Sequence, residues 1–402
     1  MSARIVGIGC VTPPGLIGQG RMAELSRRYN ATTPQQRALI DRVYRGTKID
    51  QRASVLGALD DSSDAATTDK HGLQSPPTAS RSANLVADEN IALALDEMAG
   101  MLRFYPEPEG SLDDAGPSTA DRMAAYEALS LPLAAEACRQ AIRDAGVLPE
   151  QVTQLVSVSC TGFSAPGLEV RLIETLGLNP GTGRTNIGFM GCHGAVNGLR
   201  VAGALAATQG DPDARVLMVC TELCTLHFQY GQDPQLAVAN ALFGDGAAAV
   251  VLAQDTHAMG DQDIRLLDTH STVLPGTAEH MSWRIRDRGF VMALSSEVPR
   301  LIEEHAQGVV EPWLARHGLT AADVGGWAIH PGGPKVIGAV ESALGLAVSA
   351  GDASRAVLAE RGNMSSPTVF FIAQRLRLAE VPRPWVLLAF GPGLVIEAAL
   401  LQ

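Results

Sequence analysis

Between Leu131 and Leu401 the chain alternates short apolar runs with longer segments of helical spacing, which restricts it to an α/β architecture. Runs of strand length fall at 154–160, 184–189, 215–220 and 246–253, with helical segments at 131–145 and 167–176. Segment 192–208 is charged only at Arg200, so it predicts a helix buried on most sides. From about 256 the theme returns: a strand at 264–269, helices within 290–316, and a strand at 327–330. Helices at 334–345, 351–361 and 366–377 then precede closing strands at 385–390 and 394–401. No short-period repeat is present. Two halves of α/β pattern, 1–255 and 256–402, imply an internal duplication.

The N-terminal region is less regular. A strand over 4–10 is stopped by Pro13-Pro14-Gly15, and 20–45 reads as a helix with Arg42, Arg45 and Lys48 near its end. Residues 62–90 have loop composition and form either an inert insertion or a lid over a site. Surface helices are expected over 91–102 and after the capping residues of 117–121. With 46% hydrophobic and 18% charged residues, most of the chain folds. A formal charge of -12 and the lack of a basic run argue against nucleic acid as a partner. No apolar stretch is long enough to span a membrane, and the start lacks a signal-peptide pattern, so a soluble cytoplasmic protein is expected. The six scattered cysteines form no CxxC pair and no zinc spacing, as for reduced cytosolic thiols, and no metal site is expected.

Cys192 follows Gly191 at the start of the uncharged helix, where backbone N–H groups and the helix dipole favour a thiolate. It is either a nucleophile or one more small buried hydrophobe. The latter reading suits Cys10, Cys138, Cys160, Cys220 and Cys224, which lie in or beside apolar runs. His330 ends a strand before Pro331-Gly332-Gly333-Pro334-Lys335, where α/β folds place ligands, and is either structural or an acid–base group. Asn363 in Arg361-Gly362-Asn363-Met364-Ser365-Ser366-Pro367 either caps a helix or donates to a carbonyl oxygen. Phe243 packs in the core or borders a cavity, and Gly391-Pro392-Gly393 bends the chain between two strands.

Five stretches, GFMGCHGAVNGLR, ALFGDGAAAVVL, WAIHPGGPKVI, RGNMSSPTVFFI and AFGPGLVIEAAL, resemble the type III polyketide synthases, the chalcone synthase-like enzymes of the thiolase superfamily. The resemblance covers 105–402 well and 1–60 weakly. It implies a layered αβαβα thiolase-like fold, a homodimer, an acyl-CoA starter and malonyl-CoA as substrates, and no cofactor beyond coenzyme A thioesters. It further implies Cys192 as nucleophile, with His330 and Asn363 as catalytic partners. Phe243, Met292, Trp283, His227 and Ser365 would line the substrate cavity, Arg42 would bind coenzyme A, and Gly391, Pro392 and Gly393 would form a cyclisation loop. Plant enzymes carry phenylalanine where this chain has Met292, and glycine where it has Trp283. Indole bulk beside a flexible thioether favours a flexible aliphatic starter over a rigid aromatic one, with pyrone or resorcinol/phloroglucinol-type products. The competing expectations are a β-ketoacyl synthase III-like or acyl-CoA condensing enzyme making one condensation, and a catalytically dead binding partner.

Overall fold

The computed structural model of the protein describes residues 3–57, 101–108, 115–208, 210, 213–255, 260 and 263–402. Its strands are β1 (Ala3–Val11), β2 (Leu16–Gly18), β3 (Gln51–Ala53), β4 (Val152–Ser159), β5 (Gly183–Gly188), β6 (Arg215–Leu223) and β7 (Asp245–Gln254). The series continues with β8 (Ile264–Val273), β9 (Met281–Arg286), β10 (Gly289–Leu294), β11 (Gly326–Ile329), β12 (Trp385–Gly391) and β13 (Val395–Leu401).

Nine of these form one sheet in the order β11-β12-β13-β8-β1-β7-β6-β4-β5. The order contains the same pattern twice. From β1 outward the pairings are antiparallel to β7, antiparallel to β6, then parallel to β4. From β8 outward they are antiparallel to β13, antiparallel to β12, then parallel to β11. The two sets meet through a short antiparallel pairing of Ala3–Ile5 in β1 with β8.

Apolar residues on both faces of these strands demand helices on both faces. Helix Thr119–Asp144 covers one outer face, and helices Val298–Ala315 and Pro334–Leu344 cover the other. Between them a shared core joins Val196 and Leu199 of helix Gly194–Thr208 to Val369 and Ile372 of helix Thr368–Leu378. Five layers result, αβαβα. The expected burial of helix Gly194–Thr208 is found: its Ala195, Val196, Leu199 and Ala202 are fully enclosed.

Some elements differ from the sequence reading. The helix expected over 20–45 is two, Gln19–Asn30 and Pro34–Gly46, because Thr33 and Gln36 form a capping box that starts a new helix. The helices expected after residue 117 and from 131 are one, capped by Ser118 and continuous through Pro132. It is not a surface helix, since Ala125, Leu129, Ala134 and Cys138 bury one side against the sheet, which offsets the bond lost at Pro132. Residues 289–294, expected within a helical region, form β10 in a hairpin with β9, in which Met292 stands opposite Trp283. Segments 62–90 and 91–100 lie outside the described residues. Among those described, no helix is long and apolar enough to cross a membrane.

Candidate active site

After β5 the chain turns through Phe189, Met190 and Gly191 before helix Gly194–Thr208 begins. Gly191 has φ +79°, and a β-carbon there would stand 2.6 Å from Cδ of Pro392. Glycine is therefore required both by conformation and by space. The turn delivers Cys192 to the floor of a cavity of about 540 Å³, which Phe243, Met292, His330, Asn363 and Lys335 also line. Burial pushes the Cys192 thiol up to about 11, against the lowering effect of hydrogen bonds from Ser365 and Asn363. The helix start was expected to favour the thiolate; desolvation outweighs it here.

His330 follows β11, and its N–H continues the ladder to Leu388 O at 2.7 Å. The ring is 1% exposed, and neither nitrogen has a hydrogen-bond partner among the described residues. Burial, with a smaller contribution from neighbouring His193, lowers its pKa to about 3, so the imidazole is neutral. A neutral buried ring with two free nitrogens is ready to donate to one ligand atom and accept from another.

Asn363 does not cap the following helix. Its backbone is bridged to Phe243 instead, with its N–H donating to Leu242 O and Gly244 N–H donating to its carbonyl, both at 2.9 Å. Its Oδ1 accepts the Ser365 N–H at 2.8 Å, which leaves the amide NH₂ as donor. Phe243 is held by a residue the sequence did not single out. The fully buried Arg52 donates to the carbonyls of Asn240 (2.7 Å), Ala241 (2.9 Å) and Phe243 (2.9 Å), closing the end of helix Pro234–Leu242.

Beyond Phe243 and Met292 lies an inner chamber of about 30 Å³, bordered also by Trp283, His227, Phe290 and Met101. The Trp283 indole donates to Cys160 O at 2.7 Å. His227 accepts from Phe290 N–H at Nδ1 and bonds Thr161 O at 2.7 Å through Nε2, so both ring nitrogens are occupied and the ring is a wall. Cys160 and Cys224, expected to be inert packing, are part of this region. Cys160 touches the Ser365 hydroxyl at 3.3 Å, and the same hydroxyl donates to Cys192 Sγ at 3.6 Å, while Cys224 lines the chamber. Ser365 reaches both sulfurs from a left-handed conformation, φ +60°. Gly391, Pro392 and Gly393 do not line the cavity; Gly391 and Pro392 back the turn that carries Cys192. Arg42 is exposed and does not itself line the cavity, although its neighbour Val43 does; Arg45, Lys48 and the cavity-lining Lys335 are exposed as well.

Residues 99–256 match the family "Chalcone and stilbene synthases, N-terminal domain", and residues 265–402 match its C-terminal domain. The chain is 36% identical over 324 residues to 1,3,6,8-tetrahydroxynaphthalene synthase of Streptomyces peucetius subsp. caesius, covering 79% of this chain and 81% of that one. The chain belongs to the type III polyketide synthases. This type III polyketide synthase is also 32% identical, over 70% of its length and 72% of the relative's, to an alpha-pyrone synthesis polyketide synthase-like protein of Mycobacterium tuberculosis. It superposes on the crystal structure of CsyB complexed with CoA-SH with a TM-score of 0.80 at 26% identity, covering 100% of this chain and 99% of that one. The fold is thus thiolase-like, and the enzyme is an acyltransferase that condenses malonyl units onto an acyl-CoA starter. A single-condensation enzyme is not favoured by a match that runs through both halves.

One carboxylate ties the polyketide synthase site together. Glu222, at the end of β6, is fully buried and accepts from Cys160 N–H (2.9 Å), Thr161 Oγ (2.7 Å) and Ser366 Oγ (2.6 Å). Burial raises its pKa, and those donors oppose the rise. It pins the loop that carries Asn363 and Ser365 to the loop that holds Trp283.

Proposed function

We propose that Cys192, His330 and Asn363 carry both half-reactions of the polyketide cycle. The observation that carries this reading is that all three line one cavity, with the His330 nitrogens unpartnered among the described residues. Cys192 sulfur attacks the starter thioester carbonyl; the bond to coenzyme A sulfur breaks, and the thiol proton passes through His330 to the leaving thiolate. Malonyl-CoA then occupies the same cavity and loses carbon dioxide. The negative charge moves to the thioester oxygen, where the His330 ring N–H and the Asn363 NH₂ stabilise the enolate. The enolate carbon attacks the acyl group on Cys192, and the sulfur leaves as thiolate. Phe243, Met292 and Phe390 make the cavity largely apolar, which favours loss of a poorly solvated carboxylate. Each step closes with these side chains and the two thioesters, so the reading calls for no further cofactor.

Lys335 lines the cavity, and the exposed Arg42, Arg45 and Lys48 lie on or just after helix Pro34–Gly46, whose Val43, Gly46 and following Thr47 also line it, a placement that supports binding of the coenzyme A phosphates. The repeated pairing pattern of the sheet supports duplicated halves at 1–255 and 256–402. Exposed Phe163, Phe189, Met190 and Val170 beside the open edge strand β5 suit a second copy of the chain, hence a homodimer. An inner chamber of about 30 Å³ walled by Met292 and Met101 admits a flexible chain only as those thioethers move, which supports an aliphatic starter and a pyrone or resorcinol-type product.

Mass measurement of acyl loading tests the nucleophile. Cys192→Ala is expected to take up no acyl group, and loading of that variant would overturn the assignment. His330→Ala and Asn363→Ala are expected to slow malonyl-CoA decarboxylation by about 10²- to 10³-fold while malonyl-CoA still binds.

A further inference from the structure

His193 follows Cys192 directly and is 3% exposed, yet nothing in the reaction just described uses it. Its Nδ1 lies 2.7 Å from Asn197 Oδ1, and Asn197 donates through Nδ2 to Glu397 Oε1 at 2.9 Å. Because the amide presents its NH₂ to the carboxylate, its oxygen must accept, which fixes the proton of His193 on Nδ1. Glu397 is itself buried, ion-paired with Arg200 and bonded by Ser271 Oγ at 2.7 Å. The other edge of the ring lies against Gly391, where any β-carbon would collide with it. Gly191 meets Pro392 in the same way on the other side of Cys192. The nucleophile turn and the Gly391-Pro392-Gly393 turn are therefore interlocked at two points, and the imidazole is the part of that lock held by hydrogen bonds.

We propose that His193 is a positioning residue of the condensation reaction: anchored by Asn197 and Glu397 and seated on Gly391, it sets where Cys192 sulfur stands relative to His330 and the thioester carbonyl. The proposal rests on Cys192 being the nucleophile. It assigns the side chain no proton transfer. A buried donor anchored by a charged chain costs a defined geometry when lost, and misplacement of reacting atoms falls on the chemical step rather than on binding.

The test is single-turnover acylation of Cys192 by an acyl-CoA, followed by intact mass, across a range of acyl-CoA concentrations. His193→Phe keeps a planar ring and removes the Nδ1 donor; its limiting rate is expected to fall by about tenfold with half-saturation unchanged within about twofold. His193→Gln, whose amide can reach the same acceptor, is expected to recover most of the rate. Asn197→Ala is expected to slow loading as His193→Phe does, and the double variant to be no slower than either single one. Wild-type loading by His193→Phe would overturn the proposal, as would equal losses in His193→Phe and His193→Gln, which would mean that packing alone matters. Full additivity in the double variant would also overturn it. Loading of Cys192→Ala would instead overturn the nucleophile assignment, so the two failures are distinguishable.

Discussion

Below pH 11 the fraction of Cys192 present as thiolate grows tenfold with each pH unit, because burial has pushed the thiol up to about 11. Alkylation of the substrate-free enzyme by iodoacetamide should therefore quicken by about tenfold per unit from pH 7 to pH 9. A plateau below pH 8 would mean that sulfur and imidazole already exist as an ion pair. Ser365→Ala withdraws a hydrogen bond that lowers the thiol pKa, so at pH 8 the variant should react several-fold more slowly than wild type. The residues of the proposed site were readable unequally. Cys192, His330 and Asn363 each stand at a glycine- or proline-bearing junction, and those junctions are visible in sequence. Glu222 reads as the polar end of an apolar strand, and its partners lie 62 and 144 residues away, beyond any local pattern. Arg52 is hidden for the same reason, 191 residues from the carbonyl of Phe243 that it holds.

Hairpin β9–β10 sets the depth of the cavity. Trp283 and Met292 are cross-strand partners, the indole tied to Cys160 O and the thioether held by packing alone, so the hairpin presents one hydrogen-bonded side chain and one without such a tie. Trp283→Gly should enlarge the inner chamber, admit bulkier starters or lengthen the chain, and lower stability by about 3 kcal/mol from lost packing. Product profiles by mass and urea midpoints check the two effects separately; an unchanged starter range would show that the indole does not set it. The hairpin was missed in sequence because only β9, Met281–Arg286, alternates, whereas β10, Gly289–Leu294, is an unbroken apolar run that merges with the helical signal that follows. The sheet strands were readable because they are apolar on both faces, whereas Pro132 suggested a break that burial of the flanking turns overrides.

At the scale of the molecule, strand β5 leaves one sheet edge open beside Phe163, which is 54% exposed and stacked 6.0 Å from Phe290 of the chamber wall. Phe163→Asp should convert the proposed dimer to monomer in light scattering and reduce turnover together with it; a dimer of wild-type mass would place the interface elsewhere. The duplicated α/β pattern was visible in sequence, but the joining of its halves was not, since it rests on only Ala3–Ile5 of β1. The interlock behind Cys192 also sets a timetable. Asn197 and Glu397 are 200 residues apart, and a ribosome adding roughly 5 to 20 residues per second needs about 10 to 40 s to cover that distance. The nascent chain thus carries its sulfur well before Glu397, the carboxylate on which the neighbouring His193–Asn197 pair is anchored, has been made.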